Sequence, residues 1–440
     1  MLMSIAFGGL VIFWAGAVET TFDPKVDSII EQVSTDSLSY YIEGLSGEKS
    51  VKIGGKKDSI TTRHSLTGDI IKATNWLREQ FELRGVEAQL QPFISSKSSL
   101  AEPRPLPIGV SEAERALLFE SLENAGEQFH LNNIVATIPG KDEQQIILCA
   151  HYDATSEIEG SYTPGADDNA SGCAAVIEAA RIFSAYQWQH TIRLVLFSGE
   201  EQGLWGSEYY AKDAVQKKDD IIAVLDMDMI AYNGDENPQM ELHCCPWIDE
   251  SQDMGDTLSS LMETYGVNLA PDIHVSDATD RSDHYWFWQL QIPAVLMIED
   301  FEDFTPFYHH ITDRISTLDK DFMTDAVKLA LAWAAIKAEV LPESTTVIAE
   351  QPEVPLDEIM VNLVSPFVKS RLNIDFRSNN TLTVFVYDAS GRRVKSLGML
   401  TPSTTDTRFS FDIQDLSSGV YWISLEGAGK RVSQRFVVVR

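Results

Sequence analysis

The chain has few of the residues that staple small secreted domains or that bind nucleic acids. Only four cysteines occur among 440 residues, and none of them forms a Cys-x-x-C pair. Cys244 and Cys245 are adjacent, and neighbouring cysteines bridge only with strain, so we expect neither a disulfide framework nor a cysteine zinc site. Lys and Arg number 34 against 66 Asp and Glu. The resulting net charge of −32 argues against nucleic acid or an anionic membrane surface as a partner.

Long apolar runs are scarce as well. The most apolar segment covers residues 5–18, which is too short to span a bilayer comfortably, so we expect no integral membrane span. It ends in the small residues Ala15-Gly16-Ala17, as the apolar core and cleavage site of a signal peptide do. We therefore predict a signal peptide over residues 1–17 and export of the protein, although no Lys or Arg precedes Lys25.

The length predicts two domains, and the hydrophobic pattern changes character between them. Over residues 18–341, apolar strand-like runs alternate with segments of helical periodicity, interrupted by residues 95–129, which show little periodicity. The predicted strands are 86–91, 133–138, 145–150, 192–197, 221–227 and 292–298, and the predicted helices are 66–84, 173–183, 206–214, 253–265 and 322–341. This alternation predicts an α/β fold with a mixed, mostly parallel sheet flanked by helices.

The C-terminal part of the chain differs from this pattern. Residues 342–357 contain three prolines and no periodicity, so we interpret them as a linker. Residues 358–440 then alternate apolar and polar side chains in short runs separated by Gly, Ser and Asn. Such runs predict a small antiparallel β-sandwich.

One stretch, residues 151–172, carries an unusual density of metal-ligand side chains. It begins with His151 and Asp153 and contains the adjacent pair Asp167 and Asp168. A predicted strand precedes it and a predicted helix follows it. Because ligand sites of α/β sheets form at the carboxyl ends of strands, the stretch indicates a metal site. An acidic surface loop with a structural histidine is the alternative.

Further carboxylates and imidazoles follow other predicted strands. They are Glu200 and Glu201, Asp226 and Asp228, His284, and the pair His309 and His310. Together with residues 151–172 they supply the His and carboxylate ligands that two zinc ions accept, with one Asp bridging the metals. Adjacent residues at a strand end point to different sides, so one glutamate of the first pair can bind metal while the other faces a reacting water. These residues alone leave open which member of each pair is the ligand.

The motifs HYD, GADDNASG, GEEQGLWGS, LDMDMIAY and YHHITD, in this order, carry a family resemblance. The chain over residues 62–341 resembles the zinc-dependent exopeptidases that include secreted bacterial leucyl aminopeptidases, glutamate carboxypeptidase and glutaminyl cyclase. The resemblance implies two Zn²⁺ ions, one bound by His151 and Asp228, the other by Glu201 and His309, with Asp168 bridging them. It also implies that Glu200 is the general base for a metal-bridging hydroxide and that Asp153 orients His151.

The family pattern also favours one member of each pair. It selects Asp168 over Asp167, Asp228 over Asp226, and His309 over His310. His284, in a Ser-Asp-His motif, is expected to line the site or to have a structural role rather than to bind metal. The chain departs from the secreted aminopeptidases before this motif, where residues 277–281 contain neither a cysteine nor a tyrosine. The disulfide of those enzymes is therefore absent, and the side chain that stabilises the oxyanion stays unassigned.

This resemblance implies a secreted aminopeptidase that acts on peptides with a free N-terminus. A glutaminyl cyclase-like enzyme with a single zinc is the first alternative. A metal-stabilised, inactive surface adhesin is the second, although an adhesin has no need of a catalytic base such as Glu200.

The C-terminal strands carry a second resemblance, through residues 384–392, 416–421 and 435–438. They resemble the sorting domain of proteins exported by the type IX secretion system. This implies passage through the periplasm, the secretion machinery as a partner, and a secreted or cell-surface protein. A generic sandwich that binds a partner or carbohydrate is the alternative.

Overall fold

A computed structural model of the chain describes two compact units, Met1–Ser344 and Thr345–Arg440. The described residues are 20–96, 128–158, 160–235, 237–342, 360–363, 367–378, 381–388, 392–400, 403–427 and 430–438. The predicted signal peptide over residues 1–17 lies outside them. Most of the predicted linker over residues 342–357 and most of the segment 95–129 lie outside them too.

The N-terminal unit is built from helices around one large sheet. The helices are α1 (Pro24–Ile30), α2 (Thr35–Leu45), α3 (Ile70–Glu82), α4 (Ala170–Phe183), α5 (Trp205–Lys217), α6 (Asp249–Thr264), α7 (His284–Gln289) and α8 (Lys320–Lys337). The strands are β1 (Val51–Ile53), β2 (Lys56–Asp58), β3 (Ala88–Ser96), β4 (Gln128–Ile138), β5 (Gln144–His151), β6 (Thr191–Phe197), β7 (Asp220–Met227), β8 (Gln239–Cys244), β9 (Ala270–His274) and β10 (Ala294–Glu299).

The large sheet has eight strands in the order β3-β4-β6-β5-β7-β10-β8-β9, while β1 and β2 form a separate hairpin. The four central strands β6, β5, β7 and β10 run parallel. Towards one edge β4 and β3 are antiparallel, and towards the other β8 pairs antiparallel with β10 and parallel with β9. The mixed, mostly parallel sheet predicted from the sequence is confirmed.

Both faces of this sheet are covered by apolar side chains, as a sheet flanked by helices requires. One cluster packs Ile146 and Leu148 of β5 against Cys173 and Ile177 of α4. The opposite cluster packs Ile147 of β5 against side chains of α5 and α7. Alternate residues of β5 therefore face opposite sides, and both sides are buried, which explains why its sequence is a continuous apolar run.

Helix α4 begins three residues earlier than its apolar periodicity predicts. The side chain of Asn169 accepts a hydrogen bond of 2.9 Å from the Gly172 N–H and caps the helix. Gly172 is required by close packing, since a Cβ there would lie 2.2 Å from the carbonyl oxygen of Met227. The cap and this glycine hold the start of α4 against the end of β7.

The C-terminal unit consists of two sheets that share one core. Strands β11 (Met360–Leu363), β13 (Arg371–Ser378) and β16 (Ser403–Asp412) form the first sheet. The second sheet has the order β12-β18-β17-β14-β15, with β12 (Phe367–Val368), β14 (Leu382–Asp388), β15 (Arg393–Leu400), β17 (Gly419–Gly427) and β18 (Lys430–Val438). Leu372 and Ile374 of the first sheet are buried with Val384, Ile423 and Phe436 of the second, as in a sandwich.

Candidate metal centre

The candidate ligands converge at the carboxyl ends of the parallel strands. His151 is the last residue of β5, Glu200 and Glu201 lie in the turn after β6, and Asp228 follows β7 directly. His309 lies further along the loop that follows β10 rather than at the strand end itself. Because β6, β5, β7 and β10 are adjacent and parallel, these segments meet at one edge of the sheet.

The first group of ligand atoms surrounds the imidazole of His151, which is buried. Its Nε2 lies 3.2 Å from Oδ1 of Asp228 and 3.3 Å from Oδ1 of Asp168. The other oxygen of Asp228 accepts a hydrogen bond of 2.8 Å from the Ser282 hydroxyl. His151, Asp168 and Asp228 therefore offer three ligand atoms within 4.8 Å of one another.

The second group shares Asp168 with the first. Nε2 of His309 lies 3.2 Å from Oδ2 of Asp168 and 3.0 Å from Oε2 of Glu201. The two oxygens of Asp168 thus face different imidazoles, which is the arrangement that a bridging carboxylate needs. Oε1 of Glu201 accepts a hydrogen bond of 3.0 Å from the Thr155 N–H. One oxygen of Glu201 is therefore held by the backbone while the other faces the group.

The side-chain atoms of both groups are suited to binding zinc, and contacts within the groups do not satisfy all of them. Nε2 of His309 is buried and has carboxylate oxygens nearby, but no hydrogen bond to a described residue has acceptable direction. Three acidic side chains and two imidazoles converge on this small volume with no Lys or Arg in an ion pair with them among the described residues. Imidazole nitrogen and carboxylate oxygen are ordinary zinc ligands.

The carboxylates around the two imidazoles favour their protonated forms, so a bound cation would replace protons. Burial lowers the pKa of His309, but Glu201 and Asp168 outweigh it and raise this pKa to about 10. Burial likewise opposes protonation of His151, yet Asp228 and Glu200 raise its pKa well above the usual range. Without a metal the imidazoles therefore hold protons, and a metal must displace those protons to bind.

Asp153 holds the turn that carries the two glutamates. Nδ1 of His151 lies 3.1 Å from the backbone carbonyl oxygen of Asp153 but 3.8 Å from its carboxylate. The carboxylate accepts the N–H groups of Glu200 and Glu201 at 3.3 and 3.4 Å. Asp153 thus touches His151 mainly through its backbone, and its side chain positions Glu200 and Glu201.

The rival residues of the sequence analysis lie outside both groups. Oδ1 of Asp167 accepts the Ala231 N–H at 3.0 Å, and Asp226 accepts the His284 N–H at 2.9 Å. His310 is exposed, with Nδ1 3.6 Å from Glu157. His284 is buried, and its Nε2 lies 2.9 Å from the carbonyl oxygen of Thr279, which lines the cavity while His284 does not.

A cavity opens over the two groups and adds residues that the motifs did not assign. Met229, Leu296, Ile298, Phe301 and Phe304 form its apolar wall, and Glu200, Arg281 and Tyr308 also line it. The ring of Tyr308 stacks on that of His309 with 3.7 Å between centroids. Burial, with Asp168 and Glu201, raises the pKa of Tyr308 well above its usual range, so the phenol stays a neutral donor. The sequence feature that could have indicated this role of Tyr308 is its position directly before His309 in the YHHITD motif.

Asp313 supports the shared ligand Asp168, a role that the sequence motifs did not assign. Its carboxylate accepts the Asp167 N–H at 2.9 Å and the Asp168 N–H at 3.1 Å. The final Asp of the YHHITD motif therefore fixes the backbone of the shared ligand.

No helix of the described residues is long and apolar enough to cross a membrane.

Two regions of the chain match known protein families. Residues 133–334 match the family described as Peptidase family M28, and residues 367–439 match the Secretion system C-terminal sorting domain. The sequence is 32% identical over 225 residues to a probable leucine aminopeptidase of Trichophyton verrucosum. That match covers 48% of this chain and 59% of the relative, so the chain spans less than two thirds of the relative's length.

Two solved structures share the fold at low sequence identity. BSAP, a zinc aminopeptidase from Bacillus subtilis, superposes with a TM-score of 0.53 at 16% identity, covering 71% of this chain and 96% of that one. Fimbriiglobus ruber glutaminyl cyclase gives a TM-score of 0.53 at 18% identity, with the same coverage of 71% and 96%. The sorting domain indicates a protein that is secreted or held at the cell surface. The central part of the chain, residues 133–334, is therefore similar to peptidase family M28, and residues 367–439 are similar to a secretion-system sorting domain.

Proposed function

We propose that the chain is a secreted di-zinc aminopeptidase that removes N-terminal residues from peptides. The observation that carries this proposal is the shared carboxylate of Asp168, whose two oxygens lie 3.3 and 3.2 Å from His151 and His309. The match of residues 133–334 to peptidase family M28 supports a zinc-dependent hydrolase, as do the leucine aminopeptidase and the zinc aminopeptidase among the similar proteins. The sorting domain supports the secretion machinery as a further partner.

The proposed zinc ligands are the side chains of the two groups described above. One Zn²⁺ would be held by His151 and Asp228, the other by Glu201 and His309, and Asp168 would serve both. When bound, zinc supplies a Lewis acid that lowers the pKa of water and polarises a carbonyl. Ser282, Thr155 and the Asp153 carboxylate keep the ligand side chains and the glutamate turn in place.

Glu200 is the proposed general base. Its carboxylate lines the cavity, and Oε2 lies 3.9 Å from Nε2 of His151. Burial, together with Glu201 and Asp228, raises the pKa of Glu200 well above its usual range, which suits a group that must both accept and return a proton. Glu200 takes a proton from the attacking water and delivers it to the leaving amine, so the carboxylate is regenerated when the peptide bond is broken.

Tyr308 is the proposed donor for the developing oxyanion. Its neutral phenol lines the same cavity and stacks on His309, which brings a hydroxyl donor close to the ligand groups. It thereby supplies the tyrosine that the segment before Ser282 lacks. The apolar wall formed by Met229, Leu296, Ile298, Phe301 and Phe304 would receive the first side chain of the substrate.

Release of a chromogenic amine from amino-acid anilides tests the proposal. We expect hydrolysis of leucine anilide, loss of hydrolysis with a chelator, recovery with Zn²⁺, and two zinc ions per chain by elemental analysis. No chelator-sensitive hydrolysis would contradict the proposal and favour the metal-stabilised adhesin.

A glutaminyl cyclase-like activity is the second candidate, because Fimbriiglobus ruber glutaminyl cyclase has the same fold. The second ligand group, formed by Glu201 and His309 around Asp168, favours the peptidase. One zinc per chain, with cyclisation of peptides that begin with Gln and no release of anilide, would favour the cyclase instead.

A further inference from the structure

Arg63 is fully buried, and within the described part of the chain its guanidinium donates hydrogen bonds only to backbone carbonyl groups. Its Nε donates to Tyr152 O at 2.9 Å, and Nη2 donates to Gly165 O at 2.5 Å and to Asp168 O at 3.4 Å. Nη1 donates to the carbonyl oxygens of Leu45, Thr163 and Pro164. In the described part of the chain no carboxylate forms an ion pair with it; Asp313, Asp168 and Asp153 act on its charge from further away.

Two of these carbonyl groups, those of Tyr152 and Asp168, lie at the two ends of the loop that connects two candidate ligands. Tyr152 follows His151 directly, and the carbonyl of Asp168 belongs to the shared ligand itself. One guanidinium therefore fixes the start and the end of the loop relative to each other. The carboxylate of Asp313 accepts the backbone N–H of Asp168 at 3.1 Å. Asp313 therefore binds the N–H of Asp168, while Arg63 binds its carbonyl oxygen.

We propose that Arg63 is a positioning residue for zinc binding, acting through the loop that carries His151 and Asp168. The planar guanidinium presents five N–H donors in fixed directions, whereas the ammonium of lysine offers three donors on a flexible stem. Lysine at this position keeps the positive charge but cannot hold the same set of carbonyl groups. The spacing of His151 and Asp168 depends on those directed hydrogen bonds.

The test is zinc affinity of the metal-free protein, measured by competition with a chromophoric chelator well below the melting temperature. We expect Arg63→Lys to bind zinc at least about ten-fold more weakly, the size of effect that groups supporting metal ligands commonly show. Arg84→Lys is the matched control, because Arg84 is partly buried, donates to Tyr41 Oη at 2.7 Å and lies outside the ligand loop. Arg84→Lys should keep zinc affinity within about two-fold, although it loses stability.

Gly165→Ala provides a second route to the same loop if Arg63→Lys fails to fold. Gly165 has a φ of +46°, and an added Cβ would lie 2.1 Å from Asp168 O and 2.8 Å from Nη2 of Arg63. We expect the same weakening of zinc binding. A folded Arg63→Lys or Gly165→Ala protein with zinc affinity within two-fold of the wild type would overturn the proposal.

A different observation concerns the substrate and rests on the proposed aminopeptidase activity. Arg281 is the only Lys or Arg among the described residues that line the cavity. It is exposed and has no hydrogen-bond or ion-pair partner within the described part of the chain. It precedes Ser282, whose hydroxyl donates to Asp228 at 2.8 Å, so its backbone is tied to the metal centre.

We infer that Arg281 binds a carboxylate of the substrate beyond the scissile bond. A guanidinium without a partner at the mouth of a cavity recognises a carboxylate through paired N–H donors. In a dipeptide the C-terminal carboxylate is two bonds from the scissile nitrogen, and an acidic second side chain also places a carboxylate nearby. The shared chemistry is a carboxylate on the leaving part of a short peptide.

Four substrates distinguish a C-terminal carboxylate from a side-chain carboxylate, and one of them tests separately whether the proposed aminopeptidase activity exists. Leu-Gly carries the C-terminal carboxylate, Leu-Asp-amide the side-chain carboxylate, Leu-Gly-amide neither, and leucine p-nitroanilide reports basal activity. We expect the wild type to favour one carboxylate substrate over Leu-Gly-amide by about ten-fold in kcat/KM. Arg281→Gln should abolish this preference and leave anilide hydrolysis within two-fold.

Equal kcat/KM for all three peptides, with the anilide still hydrolysed, would overturn the role of Arg281 and leave the proposed function intact. A carboxylate preference that survives in Arg281→Gln would also overturn it. If the anilide is not hydrolysed at all, the proposed function fails and the role of Arg281 fails with it.

Discussion

The two units of the chain bury different kinds of side chain. Among the described residues, buried acids and imidazoles such as His151, Asp168 and Glu299 all lie in the N-terminal unit, whereas Ser424 is the only buried polar residue of the C-terminal one. The net charges differ too: Met1–Ser344 has 23 Lys and Arg against 56 Asp and Glu, and Thr345–Arg440 has 11 against 10.

Burying an ionisable group costs free energy unless a partner or a metal compensates it. A unit that buries many such groups around one cavity has therefore kept them for chemistry. A unit that buries almost only apolar side chains needs them for stability alone. This comparison predicts that catalysis and metal dependence reside in the first unit, and each experiment below tests one part of it.

The largest expected effect is that of Glu200→Gln. Glutamine keeps the size of the side chain but cannot accept the proton of the attacking water, so we expect kcat to fall by about 10²–10⁴-fold. Zinc content should stay at two, because neither ligand group includes Glu200. Steady-state hydrolysis of leucine anilide with metal analysis measures both quantities.

Glu263→Gln, at an exposed position of α6, is the matched control, with an expected rate equal to that of the wild type. If Glu200→Gln kept a near-native kcat at full zinc occupancy, another group would have to move the proton. The catalytic part of the comparison would then be wrong.

Metal removal should affect the stability of one unit only. A ligand that binds the folded state stabilises it by about 4 kcal/mol when its free concentration is about 1,000 times Kd. We expect chelation to lower the free energy of unfolding of the N-terminal unit by about this amount, because the carboxylates of Asp168, Glu201 and Asp228 lose their counter-charge. Calorimetry with and without chelator measures the change, and an equal shift of the C-terminal transition would contradict the comparison.

The sequence predicts the central part of this architecture well, because buried parallel strands are continuous apolar runs. Strand β5 and the ligands that follow it come from such a run. Helices α1 and α2 and strands β8 and β9 were not predicted. Helix α1 has only seven residues and β9 only five, with mostly half-exposed side chains in β9, so their hydrophobic periodicity is short and weak.

The supporting residues of the site were harder to predict than its ligands. Motif spacing singles out His151 and Asp168, whereas Arg63 acts on backbone carbonyl groups, which have no sequence signature. Asp153 was predicted to orient His151, and its carboxylate lies 3.8 Å from that imidazole; the hydrogen bonds that it also accepts from the backbone N–H groups of Glu200 and Glu201 were not predicted, for the same reason. Side-chain types predict side-chain chemistry, but hydrogen bonds to backbone depend on the folded path of the chain.

Ile423→Ala sharpens the comparison from the side of the C-terminal unit. Ile423 is fully buried in the sandwich core, so removing its side chain leaves a cavity and should cost about 2–4 kcal/mol of unfolding free energy. Hydrolysis of leucine anilide should not change. Denaturant unfolding measures the loss, with Val420→Ala as control, since Val420 lies on the same strand with 38% exposure and should cost about 0.5 kcal/mol or less. A loss of activity in folded Ile423→Ala would contradict the separation of roles.

Ser282→Ala should have a smaller effect, confined to the metal centre. The substitution removes the hydroxyl that donates to Asp228 at 2.8 Å, so that ligand loses one orienting hydrogen bond. We expect zinc affinity to fall by about ten-fold, the lower end of what such supporting groups contribute. Chelator competition measures it, and Ser59→Ala, at a half-buried position outside both ligand groups, should leave the affinity unchanged. Unchanged affinity in Ser282→Ala would show that the backbone alone orients Asp228.

The smallest expected effect is that of removing the C-terminal unit after Ser344. Every residue assigned to the metal centre, its support and its cavity lies between Arg63 and Asp313, within the first unit. The core of that unit is closed by α8, which ends at Lys337, before the division. Hydrolysis of leucine anilide by residues 18–344 should therefore stay within about two-fold of the full chain, with two zinc ions bound. A loss of ten-fold or more in a folded, zinc-loaded protein would mean that the sandwich contributes to the site, and the division of roles between the units would not hold.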